Sequence, residues 1–252
     1  MVKFCESVAH TLMRRYTNGE TMRDEFMKVW FEFCVYRDCH INKLNSYDQR
    51  SKLILALWAR INALCEDTLL LVDNNRSVSL QILMRSSLES FVDLRCLLVD
   101  ENYAQSIYAS EADSEHRHLS HYESGSPYYN YTSQPSTEKI EALKSEKMKA
   151  LSIYDRFQKA ECGELYRTVY NHLCRHSHGN VTALASKNFE NEKIVLNAKI
   201  GKEDLLFVLS STIDIALSST IDVFEFYQIC EEEKEQCLSM HRKIKMLCEK
   251  FV

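Results

Sequence analysis

The residues best suited to chemistry lie together in one segment, which reads LYRTVYNHLCRHSHGN over residues 165–180. This histidine-rich segment holds three histidines, two arginines and two tyrosines. On an α-helix, four of its polar residues at i, i+4, i+7 and i+11 share one face: Arg167, Asn171, Cys174 and His178. His178 would then lie in the last helical turn, where the helix dipole favours a protonated imidazole. A cationic histidine beside an arginine and an amide is suited to phosphate binding or to general acid catalysis.

A purely structural reading of the same segment stays open. Arginine and histidine side chains complement the negative C-terminal end of a helix dipole, so they are common there without any ligand. Gly179 fits the C′ position that follows a helix. The adjacent helical face carries Tyr166, Tyr170, Leu173 and Ser177. His172, Arg175 and His176 point away from both faces.

A second polar group lies on an otherwise apolar predicted helix at residues 77–100. Arg85, Glu89 and Asp93 follow one another at i, i+4 and i+8, so they form one stripe along that helix. One interpretation is a solvated face with an ordinary ion pair. The other is an internal polar seam that lines a site, with each charge paired, because an unpaired buried charge costs several kcal/mol. The apolar character of the rest of the helix favours the seam.

A third group suggests metal binding but lacks a recognised pattern. Glu115, His118 and His121 share a helical face in EHRHLSHYE. No HExxH motif or spaced cysteine partner accompanies them. We therefore expect no metal and no cofactor, and we keep these three residues only as the less favoured metal site.

The elements that must position these groups are helical. Five glycines and two prolines in 252 residues leave little material for sheets and tight turns. We predict an all-α, up-and-down helical bundle of about eight or nine helices, with a short β-hairpin near 188–200. The expected helices cover residues 2–17, 20–39, 47–73, 77–100, 101–122, 138–158, 163–178, 202–229 and 231–250. The helix at 77–100, apolar on most sides, should be the central and most buried one.

We expect one all-helical domain over residues 1–252, with a surface loop at 124–137. Residues 1–45 would form an N-terminal helical extension packed on the bundle. The net charge of −5 argues against a general affinity for nucleic acid, although it permits a local basic patch. Ten cysteines without a CxxC pair and no apolar leader predict a cytoplasmic protein. Asp214 and Asp222 interrupt the most apolar segment, so we expect no membrane span and no membrane partner.

Two short motifs resemble a known family. RSSLESFVDL, followed later by YNHLCRHSHGN, is similar to a group of uncharacterised prokaryotic helical proteins. Their motifs are Arg-x3-Glu and Tyr-x2-Leu-(Ser/Cys)-x3-His-Gly. That group resembles a branch of the HEPN superfamily, and the resemblance covers residues 50–230. It implies a helical bundle, frequently dimeric, and metal-independent RNase activity in phage-defence and toxin–antitoxin systems.

The HEPN signature is Arg-x(4–6)-His, and Arg167 and His172 satisfy its spacing. In a regular helix these two side chains would point about 140° apart. The stripe of Arg167, Asn171 and His178 is therefore the better physical candidate. The resemblance implies that the 2′-hydroxyl of RNA attacks the adjacent phosphate, while a histidine moves the proton and an arginine stabilises the charge on the phosphate.

These considerations give the predicted site. The expected catalytic residues are His178, Arg167, Arg175 and Asn171. The expected supporting or ligand-binding residues are Arg85, Glu89, Asp93, Tyr170, His172 and Asn180. The expected partners are RNA or a nucleotide, a second copy in a homodimer, and a partner protein. The alternative function is a non-catalytic helical module for protein interaction or regulation in a multi-protein system.

Overall fold

The computed structural model describes residues 21–129, 132–177 and 180–252. The first half contains α1 (Met22–His40), α2 (Gln49–Asp73), α3 (Leu80–Val99), α4 (Ala104–Ser120), α5 (Thr137–Glu146) and α6 (Ile153–Lys159). Short 3₁₀ helices occupy Ile41–Lys43, Pro127–Tyr129 and Lys147–Lys149. The second half contains α7 (Gly163–Leu165), a π turn (Tyr166–Tyr170), α8 (Asn171–Ser177), α9 (Val181–Asn188), β1 (Phe189–Glu190), β2 (Lys193–Ile194), α10 (Lys202–Phe226) and α11 (Glu231–Phe251).

The predicted fold class is confirmed, since the described residues form helices and one two-stranded hairpin. If the continuous stretch from α7 to α8 is counted once, ten helices are present in the described part of the chain. The structure has more helices than the eight or nine predicted, for two reasons. The helix expected at 138–158 is divided into α5 and α6, and α9 was not predicted. The helix expected at 2–17 lies outside the described residues.

Side-chain caps explain where several of these helices begin. At the start of α1, Thr21 accepts a hydrogen bond from the Asp24 amide, and the Asp24 carboxylate accepts one from the Thr21 amide. Asp48 and Ser51 make the same reciprocal pair at the start of α2. Ser152 caps α6 by accepting from the amide of Asp155 at 3.1 Å, which separates α6 from α5. Each cap of this kind contributes about 1 kcal/mol to helix stability.

Helix α3 lies at the centre of the bundle, as predicted. It packs against α2, α6, α8 and α10. Its largest apolar side chains are almost completely buried: Leu80, Met84, Leu88, Leu94 and Leu97. Helix α10 shares this central position and is buried to the same degree. Any polar group on the α3 face toward α8 must therefore be paired within the bundle or lie at its edge.

The N-terminal part of the described chain belongs to the same core. Phe26 and Phe33 of α1 are fully buried, and they join the apolar cluster that contains the α3 side chains. Helix α1 packs against α10 and α11. The segment predicted as a surface loop at 124–137 holds the 3₁₀ helix Pro127–Tyr129 and ends where α5 begins.

The hairpin that follows α9 is shorter than the predicted range. Phe189 pairs with Ile194 and Glu190 with Lys193, so each strand has only two residues. Asn191 and Glu192 form the turn with φ values of +48° and +63°. Positive φ at both central residues is the geometry of a two-residue type I′ hairpin turn, which asparagine tolerates well.

Helix α10 is long and apolar enough, by length and composition alone, to cross a membrane. Asp214 and Asp222, on which the sequence-based argument rested, do not exclude it by that criterion. More than half of its most apolar window is buried inside the bundle. Because α1, α2, α3 and α11 all pack against it, its apolar character is that expected of a core helix.

Candidate functional site

The histidine-rich segment does not form a regular α-helix. Residues Tyr166–Tyr170 form a π turn, in which the Asn171 amide reaches the Tyr166 carbonyl. The Thr168 hydroxyl donates to the Glu164 carbonyl at 2.8 Å, a back-bond that competes with the regular helical pattern. Turns of this kind are frequent at functional sites. In general, a π turn brings residues i and i+5 closer to a common face than a regular helix does.

Tyr170 connects this segment to the charged stripe of α3. Its hydroxyl donates to Glu89 Oε1 at 2.9 Å and accepts from the Arg85 guanidinium at 3.1 Å. Arg85 Nε also donates to the same Glu89 oxygen at 2.9 Å, which closes a triangle of three hydrogen bonds. The Arg85 guanidinium carbon lies 5.3 Å from the centre of the Tyr170 ring. The Arg85–Glu89–Tyr170 triangle therefore fixes the middle of the segment against α3.

The electrostatics of the triangle follow from its partial burial. Burial raises the pKa of the Tyr170 hydroxyl, and the Glu89 carboxylate raises it further, so the phenol stays protonated. Burial alone would lower the pKa of Arg85, but the hydrogen bonds to Glu89 and Tyr170 outweigh it and raise the pKa. About a quarter to a third of each charged side chain remains accessible to water. The stripe is thus a paired seam at the edge of the bundle rather than a free solvated face.

Asp93, the third member of the predicted stripe, has different partners. Arg156 of α6 donates to both carboxylate oxygens at 3.1 Å. The Tyr103 hydroxyl donates to Asp93 at 2.6 Å. Burial, together with the Asp93 charge, raises the pKa of Tyr103. Asp93 therefore ties α3 to α6, and it does not join the Arg85–Glu89–Tyr170 triangle. Sequence reasoning missed Tyr103 and Arg156, because neither has a motif and only the packing brings them to Asp93.

The described residues of the segment differ in their exposure to solvent. Tyr170 and Leu173 are buried against the bundle. Arg167 and Asn171 are exposed, and so is Arg175. The Asn171 side-chain amide donates to the Arg167 carbonyl at 3.4 Å. His178 and Gly179 lie outside the described residues. The exposed side of the segment therefore offers two guanidinium groups and an amide to solvent.

Two histidines of the segment form a pair beside α10. The rings of His172 and His176 are 5.0 Å apart, and His172 also lies 5.2 Å from the Phe207 ring. His172 is exposed, whereas His176 is half-buried. Next to them, Lys187 Nζ pairs with Asp204 Oδ2 at 2.7 Å. The predicted site did not include His176. Its i, i+4 spacing from His172 could have indicated that the two rings lie close together.

The environment of His176 favours a neutral imidazole. Burial lowers the pKa of His176, and the neighbouring His172 and Lys187 lower it further, while Asp204 acts in the opposite direction. The buried Nδ1 of His176 has no hydrogen-bond partner among the residues that the structure describes. A neutral imidazole near physiological pH can accept a proton from a substrate hydroxyl.

Most of these groups lie within a range of the chain that matches one protein family. The profile of DUF5677, a family of unknown function, matches residues 51–194. The chain belongs to the DUF5677 family. The matched range runs from α2 through β2, so it contains the Arg85–Glu89–Tyr170 triangle and the histidine-rich segment. Comparisons with curated proteins and with solved structures give no match.

The remaining predicted residues of this DUF5677 member have structural partners. Asn180 caps α9, since its side-chain oxygen accepts from the Ala183 amide at 2.9 Å. Glu115 pairs with Lys139 at 2.7 Å, and the His118 ring lies 5.0 Å from the Tyr129 ring. No group of three or more histidine, cysteine, aspartate or glutamate side chains is arranged to hold a metal within residues 21–129, 132–177 and 180–252.

The cysteines within the described ranges are all free thiols. Burial raises the pKa of Cys65 to about 12, and Cys96 and Cys237 are raised to about 12 by the same cause. Such thiols stay protonated and behave as small apolar side chains. They contribute to the core and offer no nucleophile to the candidate site.

Proposed function

We propose that this chain is a HEPN-like effector that acts on RNA or a nucleotide through the exposed face of the histidine-rich segment. The observation that carries the proposal is the Tyr170 hydroxyl, which bonds both Arg85 and Glu89 while Arg167 and Arg175 stay exposed. A rigid backbone beneath exposed cationic groups is what a phosphate-binding face needs. We further propose a cytoplasmic homodimer that acts in bacterial phage defence or a toxin–antitoxin system.

The chemistry we propose is metal-independent cleavage of the RNA backbone. A histidine removes the proton from a 2′-hydroxyl, whose oxygen attacks the adjacent phosphorus and forms a cyclic phosphate. The bond from phosphorus to the 5′-oxygen breaks, and an acid returns a proton to that oxygen. We assign the acid–base role to His178, with neutral His176 as the second proton-transfer group. Arg167 and Arg175 stabilise the charge on the phosphate.

The two supporting residues of α3 act through Tyr170. Arg85 is held by Glu89, so its charge is partly neutralised and it does not serve as the main phosphate ligand. Its role in the proposal is to hold the π turn in place. A π turn generally brings residues i and i+5, here Arg167 and His172, closer to one face than a regular helix does. This geometry supports a HEPN-like reading of their Arg-x4-His spacing.

RNA binding tests the exposed face directly. Fluorescence anisotropy with a labelled single-stranded RNA gives the affinity as a function of NaCl concentration. The Arg167→Gln/Arg175→Gln variant should bind at least about tenfold more weakly and lose roughly 1 to 1.5 units of the salt-dependence slope, since each phosphate contact on a single strand contributes about 0.7 units.

Arg117→Gln is the matched control. Arg117 is an exposed arginine of α4 that pairs with Asp113 and lies in the same bundle. Its loss should leave both the affinity and the slope unchanged. Equal losses in both variants would contradict a specific face on the histidine-rich segment. A wild-type protein without RNA affinity would contradict RNA as the ligand and favour the alternative, a non-catalytic module that binds a partner protein.

A further inference from the structure

A second group of polar side chains lies where α11 packs against α10. Asp214 and Ser218 are one turn apart on α10, and His241 of α11 bridges them. His241 Nδ1 lies 3.1 Å from Asp214 Oδ1. His241 Nε2 lies 3.2 Å from Ser218 Oγ. Each ring nitrogen therefore has its own partner, and the two partners differ in chemistry.

This connectivity suits the neutral His241 tautomer that carries its proton on Nδ1. With the Asp214 carboxylate as acceptor, Nδ1 of His241 carries the proton. Nε2 is then the basic nitrogen and accepts from the Ser218 hydroxyl. A carboxylate that orients an imidazole, whose other nitrogen accepts from a serine hydroxyl, is the arrangement that activates a serine nucleophile.

The serine and the aspartate face a groove. Asp214 and Ser218 line a cavity of about 370 Å³ between α10, α3 and the α7–π-turn segment. Its facing wall is built from Phe91 and Arg95 of α3 and from Val169. This volume falls within the range of small-molecule sites, about 300–1,000 Å³, and such sites combine apolar walls with a few polar groups.

The groove also contains two opposite charges, Arg95 and Asp222, that do not form a close hydrogen-bonded pair. Arg95 Nε is 3.8 Å from Asp222 Oδ2, which is beyond hydrogen-bond distance. That buried Asp222 oxygen has no hydrogen-bond partner among the described residues. Burial raises the pKa of Asp222, and the Arg95 charge opposes the shift. Arg95 is therefore available to donate to an oxygen atom of a molecule in the groove.

We propose that Ser218, His241 and Asp214 form a serine hydrolase site that cleaves small carboxylic esters bound in this groove. The Ser218 oxygen attacks the ester carbonyl carbon, and its proton passes to Nε2 of His241. The imidazolium gives that proton to the alkoxide oxygen as the carbon–oxygen bond breaks, which releases the alcohol. Water then attacks the acyl-enzyme with His241 as base, the acid is released, and the proton returns to Ser218.

The amides of α10 are used inside the helix, so they cannot stabilise the oxyanion of the intermediate. Arg95 on the facing wall supplies that positive charge. Ser218, His241 and Asp214 lie outside the histidine-rich segment, although Val169 of that segment lines the groove. Ser218, His241 and Asp214 also lie outside residues 51–194, which the family profile matches. The esterase proposal can therefore fail while the RNA proposal stands, and the reverse is also true.

A purely structural reading would make the three residues a link between α10 and α11. A structural link does not need a reactive Ser218 hydroxyl, whereas a hydrolase does. The nucleophilicity of Ser218 therefore distinguishes the two alternatives. Incubation of the full chain with diisopropyl fluorophosphate, followed by mass spectrometry of the intact protein and its peptides, measures it. We expect one phosphorylated residue, Ser218, and slow hydrolysis of p-nitrophenyl butyrate by the unmodified protein.

The variants sharpen the test. Ser218→Ala should abolish the adduct, and His241→Gln, which keeps a hydrogen-bonding side chain, should slow both labelling and ester hydrolysis by at least about 100-fold. Ser210→Ala is the matched control on the same helix, since the Ser210 hydroxyl bonds backbone carbonyls of α10, that of Leu206 at 2.7 Å and that of Phe207 at 3.3 Å. It should react like the wild type. Absence of an adduct in the wild type, or unchanged labelling in folded His241→Gln, would overturn the proposal.

Discussion

Tyr170→Phe removes one oxygen atom from the Arg85–Glu89–Tyr170 triangle and leaves the packing in place. The phenyl ring would keep its neighbours, Phe157 at 5.0 Å and Tyr166 at 5.5 Å between ring centres. What is lost is the bond donated to Glu89 and the bond accepted from Arg85. The substitution therefore isolates the polar link between α3 and the histidine-rich segment.

The expected loss in the free energy of unfolding depends on how Arg85 and Glu89 are paired after the substitution. Hydrogen bonds to charged groups contribute about 1.5–3 kcal/mol each when a partner is left stranded. In Tyr170→Phe, Arg85 Nε would still donate to Glu89 Oε1 at 2.9 Å, and both side chains would stay partly accessible to water. We therefore expect a total loss of about 1–2 kcal/mol. For a chain of this length that corresponds to a decrease in Tm of about 3–6 °C.

Urea unfolding, followed by far-UV circular dichroism, gives the free energy of unfolding for wild type and variant. Tyr128→Phe is the matched control, because Tyr128 is 79% exposed, and it should change stability by less than about 0.5 kcal/mol. Tyr170→Ala should lose about 3–5 kcal/mol, since the ring itself is removed from the core. A Tyr170→Phe variant as stable as the control would refute the reasoning that the triangle anchors the segment.

Three further predictions concern the core and its charges. Thr220→Val leaves the buried Trp58 indole N–H without its 3.0 Å partner and should cost about 1–3 kcal/mol in urea unfolding. Asp204→Asn leaves the Lys187 ammonium buried without a carboxylate and should cost about 2 kcal/mol, whereas Asp204→Glu should retain most of the stability. Stability should also fall as the pH rises from about 9 toward about 12. The unfolded chain then releases thiol protons that the folded chain retains, and Cys65→Ala should flatten this decline in urea midpoints.

The long helices could be predicted because each has an apolar period that matches its buried face. Phe26, Trp30 and Phe33 of α1 recur at helical spacing, and all three are buried. The predicted start of the helix at 47–73 lies two residues before the observed start of α2 at Gln49. The division of residues 138–158 was missed, because the Ser152 cap was not recognised within a continuous charged pattern.

The site was less predictable, because its geometry depends on packing between distant segments. The spacing of Arg85 and Glu89 predicted their mutual contact. Nothing local indicated that Tyr170, 81 residues after Glu89, would bond both. The π turn depends on tertiary contacts of the segment, and a regular helix was therefore assumed. Ser218 and His241 are in contact because α10 packs against α11, and no sequence motif predicts this contact.

We propose that the histidine-rich segment of this DUF5677 protein cleaves RNA without a metal, and this proposal can be tested directly. The most direct test is cleavage of labelled total RNA by the purified chain in excess EDTA, beside folded His178→Ala and His121→Ala variants. We expect RNA products with cyclic phosphate ends from the wild type and from His121→Ala, and no such products from His178→Ala. Equal cleavage by His178→Ala, or no cleavage by any of the three proteins, would contradict it.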